Sequence, residues 1–257
     1  MENSNISWTD NTFNGWIGCT EKGDGCEKCY AKILMETRFK RVKWGAGQPR
    51  LRTSEETWRQ PLRWDRKAAE AGKRVRVFSA SLADVFDREV PDAWRDDLFA
   101  LIRQTPNLDW QLLTKRPAKA VEFAANIQWP ENAWIGTSIE NQKVAWRARL
   151  VTRIPAPVRF LSVEPLLGPV VLDLEGIGWV IAGGESGPNA RPMDADWARS
   201  VRDQCAAAGV PFFFKQWGGR NAAAAGCELD GVIHHAFPMP VRRCPVPLEA
   251  VELKEAA

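Results

Sequence analysis

With 257 residues, 45% of them hydrophobic and 26% charged, the chain is long enough for one large α/β domain or two small ones, each with a buried core. It has no apolar run near the roughly 18 residues that a membrane span needs, and its polar start, MENSNISWTD, lacks a basic-then-apolar leader, so a cytoplasmic protein is expected. The formal net charge of +3 conceals an asymmetry: from Arg38 to Arg76 stand 13 Lys or Arg against four Asp or Glu, a stretch that suits contact with nucleic acid or phosphate and equally a solvated face.

The first strand is expected near Ile6 to Thr12. Behind it, GWIGCTEKGDGCEKCYAK places Cys19, Cys26 and Cys29 in a C-x6-C-x2-C pattern, with the glycine-rich TEKGDG read as flexible. In a reducing compartment such clustered thiols read as metal ligands or redox groups rather than disulfides. Residues 41–72 follow as a basic insertion, with Pro49 and Pro61 expected to break any long helix. Then comes a rhythm of short apolar runs at 75–79, 109–113, 133–137, 158–162, 178–182 and 211–215, read as buried strands. Helical patterns separate them. Trp94, Leu98, Leu101 and Ile102 share one helix face behind Pro91, while Asp194 is a natural cap for a helix carrying Trp197, Val201 and Cys205 that Gly209 stops. Thirteen tryptophans belong mostly to the core, with one or two near a ligand.

Six to seven parallel strands alternating with helices predict a partial or full TIM-like (β/α) barrel over residues 1–218, followed by a C-terminal extension over 219–257 that contains Cys227, His234, His235 and Cys244. No GxGxxG follows the first strand and no GxxxxGK[ST] occurs, which weighs against a nucleotide-binding open sheet. In such barrels the chemistry gathers at the carboxyl ends of the strands. Those positions hold SASLAD, LTKRP, GTSIEN, LSVEPLLG, GGESG and FKQWG, so that Asp84, Glu140, Glu164 and Glu185 would face one mouth together with Lys115, Arg116 and Lys215. Ser79, Ser81, Thr137, Ser138, Ser162 and Ser186 add hydrogen-bonding groups, and Gly183 and Gly184 are read as leaving room for a ligand. A ligand with both amino and carboxylate groups would find partners there. Three thiolates with one coordination place left over suit either an open zinc site or a [4Fe–4S] cluster with one free iron.

A three-cysteine loop after the first strand of such a barrel resembles the radical S-adenosylmethionine superfamily, whose usual motif is C-x3-C-x2-C. The set WTDNTFNGWIGCT, GCEKCYA, TKRP, GTSIEN, SVEPLLG, GGESG and FKQWG, spanning about Trp8 to Gly218, is similar to a phage-associated three-Cys-motif family of largely unknown function. The resemblance implies that Cys19, Cys26 and Cys29 hold a [4Fe–4S] cluster that binds S-adenosylmethionine. Reduced by a protein such as a flavodoxin or ferredoxin, it would cleave that cofactor to methionine and a 5′-deoxyadenosyl radical. Three departures stand out. The first gap is six residues rather than three, and Lys28 stands where the superfamily often has an aromatic, with Tyr30 as its substitute. The GGE of Gly183 to Glu185 follows about the sixth strand instead of the second, so its superfamily role is not transferred. Ser79, Ser81 and Asp84 are the candidates for the cofactor's polar end, with Glu185 a further candidate by position, and Glu140, Glu164, Lys115 and Lys215 are the candidates for catalysis.

Two alternatives use other chemistry. One is a zinc-containing nucleic-acid-binding protein in which His234 or His235 completes the thiol site and Arg38 to Arg76 contact phosphates. The other is a barrel hydrolase with Glu140 and Glu164 as acid and base.

Overall fold

The computed structural model describes residues 1–221 and 225–239, so Cys244 and the end of the extension lie outside the described residues. In chain order the strands are β1 (Asn11–Phe13), β2 (Trp16–Ile17), β3 (Leu51–Arg52), β4 (Val75–Ser79), β5 (Leu108–Thr114), β6 (Ala133–Ser138), β7 (Arg159–Val163), β8 (Trp179–Gly183), β9 (Phe212–Gln216), β10 (Glu228–Leu229) and β11 (Val232–Ile233). Seven of them form one parallel sheet in the order β1-β4-β5-β6-β7-β8-β9. Because β1 and β9 are not paired, the sheet is a curled half-barrel rather than a closed one. Each expected strand from 75–79 onward lies within one residue of its observed position at either end. The first does not: pairing begins at Asn11, and the preceding segment carries Trp8 into the barrel interior.

Alternation along the strands builds two cores. Val77, Leu112, Ile135, Leu161, Val180 and Phe214 face the helices α3 (Asp92–Gln104), α4 (Pro117–Ala124), α5 (Ala148–Val151) and α6 (Ala195–Ala208). Phe78, Trp134, Phe160, Trp179, Ile181 and Phe213 face the concave side, where they meet Trp8. Trp179 is fully buried among them, with ring centroids 5.8–6.3 Å from those of Trp8, Trp134, Phe160 and Phe213. The tail seals this floor from below. Phe237 lies 5.5 Å from Trp179, the Trp179 indole donates to the Ala236 carbonyl, and the Arg76 guanidinium sits 4.0 Å above the Phe237 ring.

The region read as a basic insertion contains the first crossover helix of the barrel. Helix α2 (Glu55–Glu70) runs 16 residues with Pro61 inside it. Proline in a helix interior costs about 3 kcal/mol, but here Trp58, Pro61, Trp64 and Ala68 form a buried stripe, Ser54 caps the amino end, and Trp58 meets Phe13 edge to face at 5.4 Å. Burial of two indoles outweighs the proline penalty. By contrast, residues 164–178 pass from β7 to β8 without a helix. Among the described residues no helix is long and apolar enough to cross a membrane.

Trp179→Ala removes the centre of the concave core. It should lower the unfolding free energy by about 3–5 kcal/mol, read as a reduced urea midpoint with an unchanged slope.

Candidate cofactor site

Past β1 the chain makes the short β2 strand, paired antiparallel with β3, and Gly18 bridges to Ala83 behind β4. This sets Cys19 at the carboxyl end of the barrel. Cys26 closes a tight turn over Asp24–Cys26, and Cys29 stands as the extended residue in front of α1 (Tyr30–Lys32). Cys26 is buried, Cys19 and Cys29 are half-buried, and all three line one cavity.

The loop between them is held from several sides rather than flexible. Arg116, at the end of β5, donates to the Thr20 carbonyl and lies 3.7 Å from the Cys19 sulfur. Arg147, beyond β6, donates to the Lys22 carbonyl at 3.2 Å, and Arg191, beyond β8, to that of Asp24 at 2.9 Å. From below, Arg50 reaches Thr20 Oγ1 at 2.6 Å and Asp87 at 2.7 Å, while the Thr20 N–H donates to Asp87 at 2.8 Å. The Lys22 N–H donates to the Cys26 sulfur at 3.3 Å. Gly25 completes the fit. A Cβ there would stand 2.5 Å from the Glu140 carboxylate, so only glycine lets the loop settle on that group.

The cavity, about 460 Å³, opens at the carboxyl ends of the strands, within the range of small-molecule and cofactor sites. Tyr30, Ser81, Asp84, Lys115, Glu164, Glu185 and Lys215 line it with the thiols, as do Trp8 and Trp44. Ser138 and Ser162, direct neighbours on β6 and β7, are two of the strand-end serines expected to add hydrogen-bonding groups, and both line the cavity. They share the inward parity of Trp134 and Phe160.

The same parity removes Ser79. It lies two residues beyond Val77 on the helix-facing side of β4, is buried, and does not line the cavity. Ser81 does, tied to Asn14 at 3.0 Å, and its carbonyl accepts from the Tyr30 hydroxyl at 2.6 Å. Glu140 also stays off the wall. Lys115 and Arg147 engage its two oxygens beneath the cysteine loop, so the Glu140–Glu164 pair expected of a hydrolase is not assembled. Glu164 instead pairs with Lys215. His234 and His235 lie against Phe212 and Phe213, away from the cavity, and supply no fourth ligand to the thiols. Gly184 lines the cavity as expected, and it also accommodates the chain that leaves β9, since a Cβ there would stand 1.9 Å from the Trp217 carbonyl oxygen.

Burial pushes the Cys19 thiol up, and Asp84 adds to the shift against the pull of Arg116. Burial likewise raises Cys26, opposed by Lys115 and the Lys22 N–H. Metal loading must therefore displace protons from these sulfurs. Burial alone would raise Glu185 and Asp87 too. Both are instead held below the usual carboxylate range, Glu185 by the bonds from Arg191 and Asp87 by the charges of Arg116 and Arg50.

Comparison with known proteins places this chain, a half-barrel with a thiol-bearing loop fixed at its mouth, in a family. The chain belongs to the family described as a protein of unknown function, DUF5131, which matches residues 3–238. No curated protein matches it. Among solved structures it is similar to a cysteine-to-serine mutant of spore photoproduct lyase, with TM-score 0.50 and 14% identity over 79% of this chain and 62% of that one. A spore photoproduct lyase structure with bound AdoMet and dinucleoside spore photoproduct gives TM-score 0.48 and 12% identity over 76% and 61%. The chain thus spans about three-fifths of the length of these lyase chains, and its likeness to the cysteine-to-serine mutant is one of fold.

Asp87→Asn leaves Arg50 buried with a weakened partner and should cost about 3–5 kcal/mol in urea unfolding at neutral pH. Since the folded-state pKa of Asp87 is depressed, its contribution is present above the ordinary carboxylate range and lost as pH falls through the folded value. The gap between wild type and variant should accordingly narrow in acid.

Proposed function

We propose that this protein is a radical S-adenosylmethionine enzyme whose cluster is held by Cys19, Cys26 and Cys29 and which modifies or repairs a nucleic-acid or nucleotide-like substrate. The observation that carries the reading is the fixed loop that sets three thiols on the wall of one cavity at the mouth of a half-barrel. The half-barrel is shared with spore photoproduct lyase, a radical S-adenosylmethionine enzyme.

Three thiols on one cavity wall, with His234 and His235 packed elsewhere against Phe212 and Phe213, fit a [4Fe–4S] cluster that keeps one iron open for a ligand. When bound and reduced, the cluster supplies the electron that cleaves S-adenosylmethionine to methionine and a 5′-deoxyadenosyl radical.

The chain's own residues orient and enclose the reactants. Lys215 and Glu164 offer one cation and one anion to the amino acid end of the cofactor, and Ser138 and Ser162 offer hydroxyls deeper in. Tyr30, fixed to the Ser81 carbonyl, offers an aromatic surface beside the thiols. Trp8 and Phe78 form a dry inner wall that keeps water from a reactive radical. The electron donor is a flavodoxin- or ferredoxin-like protein in the cytoplasm.

Anaerobic reconstitution of the full chain should give a brown protein with about four irons per chain, which releases 5′-deoxyadenosine from S-adenosylmethionine under strong reduction. Cys26→Ala should retain the fold by circular dichroism and lose both the cluster spectrum and the nucleoside. A fully iron- and sulfide-loaded wild type that yields no 5′-deoxyadenosine would defeat the reading.

A further inference from the structure

Much of the positive charge between Arg38 and Arg76 is matched within the protein. Arg50 pairs with Asp87, Arg52 with Asp97, Arg63 with Glu56, Lys67 with Glu2, Arg74 with Asp109 and Arg76 with Asp10. Arg38, Lys40, Arg41 and Lys43 form no ion pair among the described residues, and all four are exposed. They stand within six positions of each other, immediately after the cysteine loop and its helix.

That helix is wound so as to display them. Beyond α1 it widens to π geometry over Ile33–Arg38. It ends where the Phe39 N–H reaches the Leu34 carbonyl at 2.9 Å and the Arg41 N–H that of Met35 at 2.8 Å, with Lys40 in the left-handed region at φ 50°. The segment is then fastened at its far side. The Trp44 N–H donates to Glu36 at 2.9 Å, and the Gly45 N–H donates to the carbonyl of Cys19 at 3.0 Å. Trp44 lines the cavity. The cations are therefore held on a fixed strip leading to the mouth.

Aromatic rings accompany them. Phe39 is 52% exposed with the Arg38 guanidinium 5.5 Å from its centroid, and Tyr30, equally exposed, lines the cavity nearby. An exposed phenylalanine among unpaired cations offers a stacking surface together with phosphate partners, the combination that holds single-stranded nucleic acid. An acidic peptide would use the cations and leave the rings idle. A duplex would hold its bases inside, out of reach of both Phe39 and the cavity.

We propose that Arg38 to Trp44 is a docking strip for single-stranded nucleic acid, its cations gripping phosphates and Phe39 stacking on a base, so that a nucleotide is led past Trp44 into the cavity. The destination of the strand rests on the enzyme reading above, while the binding itself does not.

Anisotropy of a fluorescent 12-nucleotide single strand, titrated with the full-length protein with and without its cluster, tests this. Binding should weaken with salt, with a slope of log K against log salt approaching about −2.8 if all four cations engage phosphates. The quadruple variant R38Q/K40Q/R41Q/K43Q should lose at least tenfold in affinity at low salt and flatten the slope. F39A should lose about fivefold or more and leave the slope intact. R59Q/R66Q/K73Q, which alters other cations of the same stretch, should bind like the parent. A quadruple variant with native circular dichroism and thermal midpoint that binds as tightly as the parent would overturn the proposal. So would a duplex or an acidic peptide that competes as well as the single strand. Release of 5′-deoxyadenosine without substrate is measured separately, which keeps a failure of binding distinct from a failure of the radical chemistry.

Discussion

The arrangement of the mouth depends on one buried ion pair, Arg116 with Asp84, 3.0 Å apart. Two charges withdrawn from water are costly unless their remaining hydrogen-bonding capacity is filled. Here it is filled by the surroundings: Asp84 also accepts from Thr114 and from the Lys115 and Phe86 N–H groups, and the other arm of Arg116 reaches the cysteine loop. The loop has little apolar surface of its own with which to dock. It is positioned by guanidinium groups that grip its carbonyls, and these groups are positioned by carboxylates at the strand ends. The C-x6-C spacing follows from this, because the extra residues provide the carbonyls of Thr20, Lys22 and Asp24 that Arg116, Arg147 and Arg191 hold.

A second consequence concerns the charges on the cavity wall. Glu164 with Lys215, Glu185 with Arg191 and Asp84 with Arg116 are already matched. A zwitterionic ligand brings one charge of each sign and can exchange partners with the Glu164–Lys215 pair without leaving a net charge behind. A simple anion or cation would strand one member of the pair in a half-buried setting, which is expensive. The wall thus favours ligands that carry both signs.

The half-barrel was legible because its strands are short, apolar on both faces and regularly spaced, and because glycine and aspartate mark helix α6 at Gly209 and Asp194 as expected. The cysteine loop was legible as a thiol cluster from spacing alone. What sequence reading missed has common causes. Ser79 was chosen by its nearness to a strand end without applying the two-residue period that turns it toward the helices. Glu140 was chosen as a reactive acid because its partners, Lys115 and Arg147, meet it only after strand and loop are packed. Pro61 was given its local meaning as a helix breaker, when two tryptophans packed on β1 and the barrel decide otherwise. TEKGDG was read as flexible because its glycines are visible in the sequence and the arginines that hold it lie about 30 to 170 residues further on.

The closed floor has its own implication. Trp8 from the beginning of the chain and Phe237 from the tail meet around Trp179, so the half-barrel is a cup and not a tube. A molecule that enters between the cysteine loop and the strand ends therefore meets a wall of indole and phenyl rings at the far side, and passage straight through that wall would require the rings to part.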